Sequence, residues 1–242
     1  SMKIRSSASE LPDLMFHKSD SMNQYSEYLA DLTDTEANKN NQIASEYAVD
    51  GKVLGIPDRK ASDYVYYWTD MFDEAGVAYP EEGWTYDDML EIAKKLTIPG
   101  EQYGVGIAAS NADPSNVFMT LSPIVWSYGA DFLNEDQTEC TLNTPEAMEA
   151  VRFFTGLYTT EKVTPEGVIN YTMTKDIMPL FIENKVGMMM GGDQNAVEFD
   201  TNYPDLKYGF CVPPKSPASS GGWMFTVPVT ACTVDIMSWE KR

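Results

Sequence analysis

The sequence predicts an α/β protein, in which strands alternate with helices along one chain. Apolar runs of strand length occupy residues 51–57 and 63–68, and the segment after them ends at Gly76 as a helix does. The pair Thr85 and Asp88 has the spacing of a capping box, with apolar residues at helical spacing behind it. Interleaved strands and helices indicate a sheet that is covered by helices.

Three strands and one helix are predicted in the first third of the chain. Residues 10–16 form the first strand. Residues 51–57 form the second, which ends at Pro57, and a short loop leads into the third, the tyrosine-rich run 63–68. The helix that follows stops at Gly76, because glycine readily adopts the left-handed conformation that closes helices.

The same alternation continues in the rest of the chain. Residues 143–146 supply a helix cap, a proline at the first helical position and an acid in the first turn. Residues 185–190 form a short buried strand that ends at a Gly191-Gly192 turn. Residues 131–136 favour a hairpin turn, since they lack the glycine and the terminal glutamate of a calcium loop. Residues 215–222 read as a flexible linker.

Composition and charge exclude several classes of protein. With 242 residues and 43% hydrophobic content, the chain can bury a substantial core in one or two domains. No run approaches the roughly eighteen apolar residues that a membrane-spanning helix needs. The formal net charge of -20 would repel phosphate backbones and anionic lipid headgroups, so nucleic acid and membrane surfaces are not expected as partners.

The cysteines predict neither a metal site nor a disulfide framework. Cys140, Cys211 and Cys232 are widely spaced and form no CxxC pair. Cys211 and Cys232 could pair if adjacent strands carry them; otherwise they are unpaired buried thiols.

Signatures of catalysis and of cofactor binding are missing. His17 is the only histidine, and no GxSxG elbow accompanies it, so a Ser-His-Asp triad is not indicated. The sequence contains neither HExxH nor a Walker A loop. Residues 104–109 fit GxGxxA, but no helix is predicted directly after them, which argues against dinucleotide binding. We predict no catalytic residue, no metal and no cofactor.

Five segments of the chain resemble, in the same order, segments of one protein family. They are residues 10–16, 51–76, 84–96, 184–192 and 208–214. The family is that of the extracellular solute-binding proteins of bacterial ABC importers, and the similarity is to its sugar-binding, maltose-binding-protein-like members. Because the resemblance is spread over most of the chain, it is more specific than any single short motif.

This resemblance implies a two-lobed, periplasmic-binding-protein-like fold of type II. It places a partial first lobe at residues 1–58, a second lobe at 59–222 and a return crossing into the first lobe at 223–242. The crossings near residues 57–61 and 220–226 would be hinge strands. Since members of the family are longer, the resemblance also implies that the first lobe is incomplete.

The resemblance further implies that the protein captures a sugar or oligosaccharide in a cleft between the lobes. The protein would then deliver the ligand to the membrane permease subunits of an ABC importer. It would be extracytoplasmic, as a cell-surface lipoprotein or a periplasmic protein, and monomeric. Two alternatives stay open at this point: a glycosidase, which would use a carboxylate pair among the 37 acids, and a protein-interaction scaffold that binds no small molecule.

Sugar recognition needs flat aromatic faces together with short polar side chains that bond hydroxyl groups. By position in the family pattern, the resemblance implies that ligand contacts come from residues in the loops behind the strands. They are His17 and Asp20; Asp58, Arg59 and Lys60; Asn116, Phe118 and Trp126; Asp193 and Gln194; and Trp223.

Simpler roles are open for several of these residues. Trp126 lies in an apolar run and could pack in the core. Asp193 and Gln194 could form an Asx turn or cap the next helix, and residues 58–60 could be a solvated loop. For Trp223, flanked by glycines in a polar segment, stacking on a ligand is favoured over core packing.

Overall fold

The computed structural model describes most of the chain, which divides into two compact units. Described are residues 14–17, 26–40, 48–112, 114–134, 136, 138–216 and 226–234, with the backbone alone at 14–17, 57–61, 114–116 and 226–234. Unit 1 comprises Ser1–Ala61 and Thr226–Arg242, and unit 2 comprises Ser62–Phe225. The lobe boundaries given above stay a prediction.

Strands and helices alternate along the chain, as predicted. The elements are β1 (Leu14–His17), α1 (Glu36–Lys39), β2 (Ala48–Val49), β3 (Lys52–Val53), β4 (Ile56–Trp68), α2 (Thr69–Ala75), α3 (Tyr86–Leu96), β5 (Tyr103–Gly106), α4 (Pro114–Ser127), α5 (Pro145–Thr159), α6 (Met178–Ile182), β6 (Val186–Gly192), α7 (Asp193–Asn202), β7 (Tyr208–Cys211) and β8 (Thr226–Val234). A 3₁₀ turn, Val168–Asn170, and a π-helical turn, Met173–Ile177, precede α6.

Antiparallel strand pairs occur in the described residues of unit 1. Strand β1 pairs with β8, with Phe16 opposite Cys232. Strands β2 and β3 form a hairpin whose two turn residues, Asp50 and Gly51, have φ angles of 49° and 76°. The Asp-Gly dipeptide suits such a turn because both positions require a positive φ. This dipeptide is the local sequence signal for the hairpin.

Strand β4 differs from the prediction at residues 58–62. The sequence favours a strand that ends at Pro57, a loop and a new strand from Asp63, whereas β4 runs unbroken from Ile56 to Trp68. Proline is tolerated near the start of a strand, where its missing N–H need not break a central ladder. The loop prediction was therefore wrong, and the boundary between the two units falls within one continuous strand.

The sheet of unit 2 is mixed, with the order β7, β4, β6, β5. Strand β4 is antiparallel to both of its neighbours here, whereas β5 is parallel to β6. Successive side chains of β4 point to opposite faces, so the ring of Tyr66 contacts Phe199 and that of Tyr67 contacts Phe72. Both faces are covered, which explains the apolar and aromatic sequence of β4 after Asp63 and the apolar sequence of β6.

The predicted helix boundaries of unit 2 are confirmed. In the capping box of α3, the Thr85 hydroxyl oxygen accepts the Asp88 N–H at 3.1 Å and the Asp88 carboxylate accepts the Thr85 N–H at 2.8 Å. Thr144 caps α5 and Pro145 is its first residue. Gly76 closes α2 in the left-handed conformation, with a φ of 63°.

The hairpin predicted at residues 131–136 is also confirmed. Leu133 lies opposite Cys140 in an antiparallel bridge, and the Asn134 N–H donates to the Glu139 carbonyl at 3.0 Å. The predicted linker at 215–222 begins with ordered residues, since Lys215 bridges to Thr85 and Ser216 is buried. Residues 217–222 lie outside the described part of the chain.

Cys140 and Cys211 are free thiols, and the side chain of Cys232 is not among those described. Within the described ranges, no helix combines the length and the apolar character required to cross a bilayer.

Candidate functional site

Three strands of unit 2 bring chemically useful residues to one edge of the sheet. Because β5 and β6 are parallel, their carboxyl ends at Gly106 and Gly192 point toward the same edge. Strand β4 runs the other way, which places its residue Asp63 opposite Gly192 at this edge. In open α/β sheets, ligands bind outside the carboxyl ends of the strands. We call the group formed by Asp63, Asp193, Gln194 and Asn195 the edge site.

Asp63 is the most unusual residue of the edge site. It is 5% exposed, and within the described part of the chain its Oδ2 atom has no hydrogen-bond partner. Burial raises the pKa of this carboxyl to about 6, and the negative charge of Asp193 adds to the effect. A buried carboxyl with a free oxygen is costly for a fold, so such groups are concentrated at functional sites.

Helix α7 begins directly at the edge. Its N-cap residue, Gly192, has no side chain to cap the helix, and Asp193 and Gln194 form the exposed start of the first turn. The backbone N–H groups at such a start have no partner within the helix. The positive end of the helix dipole favours the carboxylate of Asp193 at this position.

The two glycines at the end of β6 make room for amide side chains of α7. A Cβ atom on Gly192 would lie 2.3 Å from the Gln194 Oε1 atom, and one on Gly191 would lie 2.6 Å from the Asn195 Oδ1 atom. Both amides therefore fold back over the end of the strand. The predicted Gly191-Gly192 turn was wrong, because the strand continues through both residues and the glycines provide space.

Two hydrogen bonds hold this start of α7 in place. The Tyr66 hydroxyl donates to the Gly192 carbonyl oxygen at 2.8 Å. The Asn195 amide donates to the sulfur of Met178 at 3.5 Å, which connects α7 to α6. Tyr66 is buried, so the residues that support the edge site belong to the core.

The loop behind β5 is also fixed at this edge. The N–H groups of Ala109 and Ser110 both donate to the Tyr171 carbonyl oxygen, at 3.2 and 3.1 Å. The Ser110 hydroxyl oxygen accepts the Ala112 N–H at 3.1 Å, and Ser110 is buried. This loop leads into α4, which begins at Pro114.

A second group, the aromatic cluster, is formed by Phe118 and Trp126 of α4 with Phe132. The ring centroids of Phe118 and Trp126 are 5.8 Å apart, and those of Phe118 and Phe132 are 5.0 Å apart. The indole N–H of Trp126 donates to Asp131 at 2.9 Å. Phe118 is 45% exposed, whereas Trp126 is half-buried, so Phe118 has the larger solvent-facing ring surface.

The structure brings together only some of the residues predicted as ligand contacts. Asp193 joins Gln194 in the edge site, and Phe118 joins Trp126 in the aromatic cluster. For the others, the side chains are not among those described, although some have a described backbone. These are His17 at the last position of β1, Asp58, Arg59 and Lys60 within β4, and Asn116 in the first turn of α4.

Asp20 and Trp223 lie wholly outside the described residues. The placement of Asp58, Arg59 and Lys60 in a loop was wrong, since they belong to the continuous strand β4. Asp193 and Gln194 lie in the first turn of α7, whose N-cap is Gly192, so the suggestion that they cap this helix was wrong. Their contact with a ligand stays a prediction.

Sequence reasoning missed Asp63 and Asn195. A signal for Asp63 was available, because it is the one carboxyl at the start of an otherwise apolar and tyrosine-rich strand. No such signal marks Asn195, whose side chain occupies the space that a Cβ atom on residue 191 would need.

The edge site offers both donors and acceptors of hydrogen bonds. The carboxyl groups of Asp63 and Asp193 accept hydrogen bonds when ionised, whereas the amide of Gln194 both donates and accepts. Short polar side chains of this kind are suited to hydroxyl groups, each of which is a donor and an acceptor.

Comparison with known proteins decides the family. A family model described as bacterial extracellular solute-binding protein matches residues 2–236. The chain belongs to the bacterial extracellular solute-binding proteins. Membership of a family of binding proteins supports the prediction of a binding protein over the glycosidase alternative.

Two proteins with related sequences show how similar this solute-binding protein is to other members of the family. One, from Brucella abortus (strain 2308), is named only as a binding protein and is 32% identical over 179 residues, which are 74% of this chain and 42% of the relative. The arabinooligosaccharide-binding protein of Halalkalibacterium halodurans is 27% identical over 180 residues, 73% of this chain and 38% of the relative. The chain thus matches about two fifths of each relative's length.

A solved structure gives a similar result for the fold. The ABC substrate-binding protein from Listeria monocytogenes in complex with cycloalternan is 25% identical, with a TM-score of 0.79. The match covers 96% of this solute-binding protein and 59% of the Listeria chain. It confirms the predicted mixed α/β fold of the type II periplasmic-binding-protein class.

Proposed function

We propose that this protein is the substrate-binding subunit of an ABC importer and that it binds a sugar or oligosaccharide at the edge site. The observation that carries the proposal is the composition of that site: two carboxyl groups and two amides, all at one edge of the sheet. Such groups match the paired donors and acceptors of sugar hydroxyls. The arabinooligosaccharide-binding relative and the cycloalternan complex support a saccharide as the ligand class.

The aromatic cluster supports the same ligand class. The C–H faces of pyranose rings pack against flat aromatic surfaces, and Phe118 presents such a surface to solvent. Its ring contacts those of Trp126 and Phe132, which also contact each other. Phe118 would therefore serve as a stacking platform, with Trp126 as its support.

The fate of the ligand and the location of the protein are part of the proposal. The protein would pass its sugar unchanged to the membrane permease subunits, and it would act outside the cytoplasm as a periplasmic protein or a cell-surface lipoprotein. We also propose that it acts as a monomer. The extracellular description of its family supports the location.

A ligand screen tests the proposal. The protein is heated with a panel of mono- and oligosaccharides, amino acids and peptides, and its melting temperature is compared with that of the free protein. A saccharide at about 100 times its Kd should stabilise the fold by about 2.7 kcal/mol, because it binds only the native state. Recovery of the intact saccharide after incubation separates a binding protein from a glycosidase.

Two variants connect the binding to the edge site. Gln194→Ala should weaken the saccharide's affinity, whereas Asn202→Ala should not, since Asn202 is exposed at the other end of the same helix. Amino acids or peptides binding in place of every saccharide would contradict the sugar assignment. Release of new reducing ends would contradict the role as a binding subunit.

A further inference from the structure

The buried carboxyl group of Asp63 lacks a hydrogen bond to one of its two oxygen atoms in the described part of the chain. It is 5% exposed, its Oδ2 atom has no hydrogen-bond partner among the described residues, and the residue opposite it on β6 is Gly192, which has no side chain. An unpaired polar atom in the interior costs about 1–3 kcal/mol, and more when the group is charged. A buried polar group without a protein partner requires an explanation, and a ligand that supplies the missing hydrogen bond is one.

Among the described side chains, the charges near Asp63 do not provide that partner. Asp193 at the start of α7 is negative and acts on Asp63 by repulsion. Tyr66, on the same strand, has its hydroxyl proton bonded to the Gly192 carbonyl. None of the ion pairs among the described side chains includes Asp63; their lysines pair with Glu36, Glu91, Glu161, Glu183 and Asp70.

We propose that Asp63 is a ligand-recognising residue of the edge site and that its free carboxylate oxygen accepts a hydrogen bond from a hydroxyl group of the bound saccharide. The proposal rests on the saccharide-binding function proposed above, which it refines. A hydroxyl group can donate to a carboxylate, and a hydrogen bond to a charged acceptor is about twice as strong as a neutral one. Asp63 would therefore select a ligand with a donor at this position and disfavour an analogue that lacks it.

The same hydrogen bond would couple ligand binding to the release of a proton from Asp63. In the free protein, burial and Asp193 raise the pKa of Asp63 to about 6. The hydrogen bond favours the ionised carboxyl, so the ligand lowers this pKa and a protonated Asp63 releases its proton to the buffer on binding. At pH 5 only about one tenth of the carboxyl is ionised, and the apparent Kd should rise about tenfold from pH 7 to pH 5.

Calorimetry with the saccharide that gives the largest thermal shift tests this inference. The Kd and the number of protons released are measured at pH 5, 6 and 7, in two buffers with different ionisation enthalpies. The wild-type protein should release about half a proton at pH 6. Asp63→Asn should bind more weakly at pH 7, lose most of the pH dependence and release no proton. Asp63→Glu, which keeps a carboxyl, should retain the proton release.

Asp205→Asn is the matched control, because Asp205 is exposed in the turn before β7, at the opposite edge of the sheet. It should behave as the wild type does. If the wild type binds saccharides without proton release, or if Asp63→Asn keeps the wild-type affinity and pH profile, the inference is wrong while the proposed function stands. If the wild type binds no saccharide, both are wrong.

Discussion

The hydroxyl of Tyr66 donates a 2.8 Å hydrogen bond to the carbonyl oxygen of Gly192, the residue from which helix α7 starts. The bond connects the interior of β4 to the point where Asp193 and Gln194 emerge. The ring of Tyr66 is fixed in turn by an edge-to-face contact with Phe199 of α7, with ring centroids 5.4 Å apart. Packing in the core therefore sets the position of the edge site.

Tyr66→Phe should lower the free energy of unfolding by about 1 kcal/mol, because it removes one buried hydrogen bond and keeps the ring. Urea denaturation measures the change, and Tyr203→Phe is the control because Tyr203 is exposed at the end of α7. Equal stability of the two variants would show that the Tyr66 hydroxyl contributes nothing.

Gly104 tests the contact between β5 and α3. A Cβ atom there would lie 2.1 Å from the carbonyl oxygen of Ala93, a backbone atom of α3. Gly104→Ala should therefore destabilise the protein by at least about 2 kcal/mol, since the helix or the strand must shift. Thermal denaturation followed by circular dichroism measures the loss.

Gly156→Ala is the same chemical change as Gly104→Ala, but it should raise the stability of the protein and not lower it. A Cβ atom at Gly156, in the last turn of α5, would meet only the Thr160 hydroxyl oxygen, at 3.4 Å. Alanine should stabilise the helix by about 0.5–1 kcal/mol. A melting temperature of Gly104→Ala equal to or above that of the wild type would refute the predicted steric clash, whereas a loss of stability in Gly156→Ala would contradict only the expected gain in α5.

Local signals in the sequence predicted much of the fold. The capping residues Thr85 and Thr144 and the closing residue Gly76 mark helix ends because their effect depends on a few neighbouring backbone groups. The strand at residues 185–190 was recognised from its apolar run, which is long enough only for a strand. These features do not depend on distant parts of the chain.

The errors concern residues whose conformation depends on distant partners. Pro57 suggested a strand end, but the pairing of β4 extends the strand past it. Gly191 and Gly192 suggested a turn, but they are needed for the side chains of Gln194 and Asn195. The edge site could be predicted only in part, since the position of Asp63 opposite Gly192 is a matter of strand register.

The capping box of α3 gives a third prediction. Thr85→Ala removes the oxygen that accepts the Asp88 N–H, and it should cost about 1 kcal/mol of unfolding free energy. Thr85→Ser keeps that oxygen and should recover most of the loss, as judged from the midpoint of urea denaturation. If serine and alanine were equally destabilising, the lost methyl group and not the cap would explain the change.

The raised pKa of Asp63 predicts how stability depends on pH. The pKa is about 6 in the folded protein and near 3.8 in the unfolded chain, so the folded state binds more protons between these values. The contribution of Asp63 is most favourable below about pH 4 and is lost as the pH rises through 6. A shift of this size corresponds to about 3 kcal/mol of stability.

Comparison with Asp63→Asn isolates this contribution from those of the other acids. The difference in unfolding free energy between variant and wild type, measured in urea at pH 5, 6, 7 and 8, should move in favour of the variant and level off above about pH 7. Asparagine has no charge to desolvate, so the repulsion from Asp193 disappears with the carboxyl. Asp205→Asn should show no such trend, because Asp205 is exposed to solvent. A constant difference across the four pH values would mean that Asp63 ionises in the folded protein as it does in the unfolded chain.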